Sequence, residues 1–143
     1  MTYASRADME KAFGEKECIA LTDRDFTGVI NDDVLNGGLQ RASAKIDTYL
    51  ASRYPVPWND TPGVLVGTCC DIARYELTGA DTQNTDEIRD RYREAIRFLE
   101  SVSAGRATLG RLPDGSVAEG SNGARFASGG RLFGRGETGG GAF

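Results

Sequence analysis

The sequence predicts an all-α protein, a small bundle of about four helices that ends in a long C-terminal arm. Three observations carry this. Apolar residues recur at i, i+3 and i+4 spacing in one segment after another of residues 1–104. Ser, Asn and Thr stand just before those segments and Gly just after several of them, the punctuation of helix ends. Glycine itself is uneven: of 19, 7 lie in residues 1–104 and 12 in residues 105–143, so a helical domain (1–104) gives way to an extended arm (105–143). No run of strand period competes, short pieces of the arm aside.

Ser5 with Asp8 three residues on reads as a capping box that opens a short helix over about 6–13, and Gly14 ends it. A second short helical piece, EKECIALT, turns Cys18, Ile19 and Leu21 inward. Asn31 caps the next helix, with Asp32 and Asp33 in its electropositive first turn and Ile30 and Leu35 at staple spacing. That helix is predicted to run to about Tyr54, with Leu35, Leu39, Ala42, Ile46, Tyr49 and Leu50 on its apolar face. Gly37 and Gly38 inside it each cost about 1 kcal/mol against Ala, which points to a close backbone approach. Pro55 and Pro57 then force extended chain.

Thr61 as cap with Pro62 at the first helical position opens a helix ending at Gly79. Its apolar face is Val64, Leu65, Cys69, Ile72, Ala73 and Leu77. The adjacent Cys69 and Cys70 read as small hydrophobic filling on a helix rather than as a redox pair. Thr85 caps a last helix through about Ala104, stopped by Gly105, with Ile88, Tyr92, Ala95, Ile96 and Leu99 as its core stripe. The other face, RDRYRE, alternates in charge and reads as solvated surface, with a second role open to it against a neighbouring copy.

A chain of 143 residues is one domain by size and can bury roughly two-thirds of its unfolded surface. Residues 1–104 hold 12 Arg and Lys against 18 Asp and Glu, a balance of −6, while the arm holds 5 Arg against 3 acids, a balance of +2. Neither is a concentrated positive face for duplex DNA. With no histidine, Ser-His-Asp and Cys-His catalysis and His-ligated zinc are all excluded, and 3 cysteines cannot complete a four-ligand zinc site. An odd cysteine count with two neighbours suits a reducing compartment. The N-terminus lacks the apolar core of a secretory signal, and no stretch is long and apolar enough to span a membrane, so a soluble cytoplasmic protein is expected. With no paired catalytic spacing and no Gly-rich phosphate loop, enzyme function is not predicted.

One stretch, LTDRDFTGVINDDVL, has calcium-loop spacing. Counting Asp23 as position 1 puts Asp25 at 3, Thr27 at 5, Gly28 at 6 and Ile30 at 8, as in an EF-hand. Position 12, where a bidentate Glu should close the cage, is Val34. Asp23, Asp25, Thr27 and the Val29 carbonyl remain, with Asn31 through a water, a set that holds calcium only at the millimolar end of natural sites. The competing reading is a helix-entry turn: side-chain turns at Asp23 and Asp25, positive φ at Gly28, and Ile30 and Asn31 stapling and capping the next helix. The turn is the reading adopted, so no metal or cofactor is assigned. A calcium-responsive binding module is the alternative function.

The arm cannot form a core alone, since Gly has the largest ordering cost and apolar residues are sparse. LPDGSV is a turn built on Pro113, Asp114 and Gly115. Beyond it Arg125, Phe126, Arg131, Leu132, Phe133, Arg135 and the terminal Phe143 interleave cations with apolar groups. A solubilising linker and an RGG-like nucleic-acid binder are the competing readings. Phe and Arg anchor interfaces by area and by forked hydrogen bonds, so these seven residues are assigned to partner binding in a docked arm.

The runs MTYASRADMEKAFGEKECIALTDRD, INDDVLNGGLQRASAKIDTYLASRYPVPW, CCDIARYELTG and RYREAIRFLESVSAGRATLG resemble a family of small Mu-like phage proteins. These belong with the head–tail connectors, also called adaptor or head-completion proteins. The resemblance covers about residues 1–110, and IDTYLASRYPVP with CDIARYEL are its most specific parts. It implies an all-helical virion protein at the head–tail interface, assembled in the host cytoplasm as a homo-oligomeric ring, dodecameric in expectation, beneath the portal protein. Such a ring extends the DNA channel without sequence-specific binding and presents a surface to a tail-side stopper or tail terminator protein. The resemblance brings no catalytic residues. In related connectors C-terminal arms embrace the portal, a role that fits this arm in composition. Two side faces are required of each subunit in a ring, and the charged helix 86–104 and the Gly37-Gly38 stripe are the candidates.

Overall fold

Helix formation begins where the capping chemistry says it should. The computed structural model of the chain describes residues 1–56, 58, 60–79 and 84–110. The Ser5 hydroxyl accepts from the Asp8 amide while the Asp8 carboxylate accepts from the Ser5 amide, closing the capping box that starts α1 (Arg6–Phe13). Gly14, at φ +87, ends α1 and opens α2 (Glu15–Thr22). α3 (Asp32–Leu50) is followed by α4 (Gly63–Leu77) and α5 (Asp86–Ser103). The described residues form five helices and no strand.

α3 is the centre of the bundle. Asn31 Oδ1 accepts from the amides of Asp33 (3.1 Å) and Val34 (3.2 Å), and the staple pair Ile30 and Leu35 is buried. α3 packs along α4 and α5, and α1 and α2 each contact both α3 and α4. Leu35, Leu39, Ala42, Ile46 and Leu50 sink into one core with Leu65, Ile72, Leu77, Leu99 and Val102. The N-terminal segment is strapped onto α3: the Tyr3 amide donates to Ser43 Oγ (3.0 Å), and its hydroxyl donates to the Asp47 carboxylate.

Three expectations need correction. α3 stops at Leu50 rather than Tyr54, because the Arg53 and Tyr54 amides both fold back on the Leu50 carbonyl (2.9 Å each) ahead of Pro55, which has no amide to donate. α4 starts one residue late, with Pro62 in the cap position: its extended ψ of 133° and its carbonyl, which accepts from the Leu65 amide, set the first turn. Val64, expected on the apolar face, is 49% exposed on that first turn. Thr85 does cap α5, its hydroxyl accepting from the Ile88 amide (3.3 Å). Packing continues past α5 to Leu109, buried beside Tyr54, whose hydroxyl takes the Leu109 amide (3.4 Å).

Four polar side chains are buried among the described residues, Thr22, Ser43, Thr68 and Arg74, and Thr22 and Arg74, like Ser43, tie separate elements together. Arg74 on α4 is 7% exposed, reaches Glu17 on α2 (2.5 Å) and Glu87 on α5 (3.5 Å), and lies over the Phe13 ring. Thr22 is fully buried and donates to the Cys18 carbonyl (2.7 Å) while accepting from the Asn31 amide (3.1 Å).

Candidate functional site

The Asp-rich stretch folds as a clasped turn between α2 and α3. Asp23 Oδ1 accepts from the Thr27 amide (2.8 Å) and hydroxyl (2.9 Å), and Oδ2 from the Gly28 amide (2.6 Å). Both carboxylate oxygens therefore serve the loop's own donors. Those bonds, the Thr27 amide first, hold the Asp23 carboxyl below its ordinary range. Gly28 takes positive φ (78°), as the sequence required. Val34, the twelfth position, sits in the first turn of α3 and packs on the core. Among the described residues no three His, Cys, Asp or Glu side chains are grouped to hold a metal ion. This is the helix-entry turn, shaped by the same steric needs as a calcium loop.

The clasp raises one side chain out of the protein. Phe26 has φ 55°, a left-handed conformation that costs an ordinary residue roughly 1–2 kcal/mol, and its ring is 81% exposed. Val29 beside it is 62% exposed. Along the chain the flanking residues include four acids, Asp23, Asp25, Asp32 and Asp33, and one cation, Arg24. Arg6 pairs with Asp32 (2.8 Å), while Asp25 and Asp33 have no ion pair among the described residues.

A second patch lies on α5. Tyr92, Arg93, Ile96, Arg97 and Glu100 line an open groove of about 320 Å³. Tyr92 and Ile96, expected as core, pack against it but are only half-buried, and their outer sides line the groove. Tyr92 stacks on Tyr75 at 4.0 Å, and its hydroxyl accepts from Lys45 (3.3 Å), which fixes the ring at the groove's edge. The charged face of α5, the groove's Arg93 included, is laced with ion pairs: Arg89 with Asp86 (2.6 Å), Arg91 with Glu87 (3.4 Å) and Arg93 with Asp90 (3.8 Å). Arg97 has no such partner among the described residues.

The other candidates divide cleanly. Cys18, Cys69 and Cys70 are free and buried, and burial pushes the Cys70 thiol up to about 12, so they pack rather than react. Gly38 is buried against Leu77 within the chain, which withdraws it as a side face, whereas Gly37 remains half-buried. The arm residues Arg125, Phe126, Arg131, Leu132, Phe133, Arg135 and Phe143, with the turn at Pro113, lie outside the described residues. Sequence reading did not single out Phe26. Its signal was available as an apolar ring among four carboxylates, with no periodicity to bury it.

Taken together, fold and surface define a small all-helical protein with two unlike exposed patches and, among its described residues, no helix long and apolar enough to cross a membrane. The chain belongs to the bacteriophage Mu Gp36 family, whose model matches residues 3–128. It is 35% identical over 133 residues, 93% of each chain, to "Mu-like prophage FluMu protein gp36" of Haemophilus influenzae. It is 33% identical over 111 residues, 77% of each chain, to "Gene product J" of Escherichia phage Mu. The resemblance read from the sequence is thereby borne out at the level of the family.

Proposed function

We propose that this chain is a structural component of the phage particle, a connector that forms a homo-oligomeric ring at the head–tail junction. The ring docks on the portal protein, extends the DNA channel and offers its far side to a stopper or tail terminator protein. The observation that carries this reading is family membership across nearly the whole chain. That membership supports a phage structural role, and the physical features are consistent with the finer assignment. A net charge of −4 suits a channel wall along which DNA slides without being trapped. Two unlike exposed patches suit the head-to-tail contacts of a ring. The Arg- and Phe-bearing arm has the composition of an interface anchor.

Native mass spectrometry of the chain mixed with its portal ring tests the proposal. The full chain is compared with a chain cut after Gly110, each with calcium and with chelator. Rings on the portal formed only by the full chain, indifferent to calcium, support the connector with its arm as clamp. Absence of portal binding, joined to a calcium-dependent mass shift, would return the loop to the status of a calcium site and remove the connector reading.

A further inference from the structure

Phe26 and the α5 groove match in two respects: an exposed ring is set against an aromatic and aliphatic lining, and an acidic loop against two arginines with one acid. The loop offers an exposed aromatic ring next in sequence to Asp25, a carboxylate with no ion pair among the described residues. The groove is lined by Tyr92 and Ile96 together with Arg93, Arg97 and Glu100, and Arg97 has no ion pair among the described residues. An aromatic anchor set against aromatic and aliphatic side chains, flanked by opposite charges, is the pattern of an interface centre.

One chain cannot bring the two together. Lys45 Nζ lies 3.3 Å from the Tyr92 hydroxyl, so the groove is level with Lys45 on α3. The loop feeds Asp32, 13 residues earlier, which at the helical rise is about 20 Å along the axis. The patches are thus two separated surfaces of one rigid bundle. A contact between unlike patches of identical chains is heterologous and closes a ring when its rotation permits.

We propose that Phe26 of one copy seats in the Tyr92–Ile96 groove of a second copy, with Asp25 facing Arg97, and that repetition of this contact builds the ring. The inference rests on the ring assembly proposed above and names its side-to-side contact. The charge match and the separation of the patches favour a second copy over a portal segment as occupant.

The test uses the full chain assembled with its portal ring. Phe26→Cys and Arg93→Cys are placed in one chain, and the three native thiols, all buried, do not compete for mild oxidation. Oxidation is expected to give covalent ladders on non-reducing gels, while a mixture of the two single variants stops at dimers. Val64→Cys with Arg93→Cys serves as an exposed control pair that should not link. Phe26→Ala is expected to weaken ring formation about tenfold or more. Asp25→Arg should do likewise, with recovery on adding Arg97→Asp. Circular dichroism melts matching the parent show that these surface variants fold.

Rings of normal mass with no 26–93 link, and with Phe26→Ala assembling like the parent, would overturn this contact and leave the connector standing. A Phe26→Cys chain that links to the portal or to the arm would overturn it as well. Absence of rings under every portal condition would remove the connector reading and this contact with it.

Discussion

A β-carbon placed on Gly38 would stand 2.8 Å from Leu77 Cγ and 2.9 Å from its Cδ2. α4 therefore crosses α3 with the head of a leucine resting on bare backbone. Leu77 is 3% exposed and has nowhere to retreat. In a helix, Gly→Ala ordinarily gains about 1 kcal/mol, whereas overpacking a filled core costs about 1–3 kcal/mol. Gly38→Ala is accordingly expected to lose about 1 kcal/mol net. Gly37→Ala, whose new methyl meets only Arg41 Nη1 at 3.5 Å, should gain up to about 1 kcal/mol. Urea unfolding of the two variants checks the opposite signs.

Arg74 ties three helices together through Glu17, Glu87 and the face of Phe13. Arg74→Ala removes the cation and leaves the partly buried Glu17 uncompensated, an expected loss of about 2–4 kcal/mol. Lys at this position keeps the charge but neither the fork nor the planar stack, so Arg74→Lys should recover less than half of the loss. Chemical denaturation of the three proteins decides the point; full rescue by Lys would mean that charge alone matters.

Thr22→Val keeps volume and removes the hydroxyl that receives the Asn31 amide. A part-buried donor then lacks its partner, for an expected loss of about 1–2 kcal/mol. Because that bond closes the base of the α2–α3 turn, amide hydrogen exchange in residues 23–31 should rise ahead of exchange in α3. Uniform change in both would show that the turn is not separately fastened.

Acid should open the same turn from its other fastening. Asp23 binds the Thr27 and Gly28 amides as a carboxylate, which lowers its folded-state pKa below the unfolded value. The contribution is therefore complete above the unfolded carboxylate range and is lost as pH falls through the depressed folded value. The Gly28 amide resonance is expected to hold steady through pH 5 and to move only below the ordinary carboxylate range of about 4. Millimolar calcium at neutral pH should leave it unmoved, and a calcium-induced shift would contradict the turn reading.

The helix starts at Ser5, Asn31 and Thr85 were legible because a cap is local: one side chain, one amide, three residues. Gly38 was legible as a close approach because glycine in mid-helix needs a reason. The start of α4 was not, since Thr61 and Pro62 satisfy the cap rules one residue apart and only the turn geometry chooses between them. The burial of Arg74 and Thr22 was hidden for the opposite reason, since their partners Glu17 and Asn31 lie 57 and 9 residues away in sequence. The groove escaped because periodicity assigns Tyr92 and Ile96 to a helix face without saying whether another helix covers it. Here α4 and α3 cover only part.

α3 has one further consequence. At its start stands the turn that raises Phe26. Beyond its far end, about 27 Å away at the helical rise, Arg53 grips the Val102 carbonyl (3.4 Å) and Tyr54 the Leu109 amide (3.4 Å), where the chain leaves for the arm. The helix is a strut with a fastening at each end. A pull applied between Leu109 and the Phe26 turn therefore loads α3 lengthwise, along its hydrogen-bonded spine, rather than across its side-chain contacts.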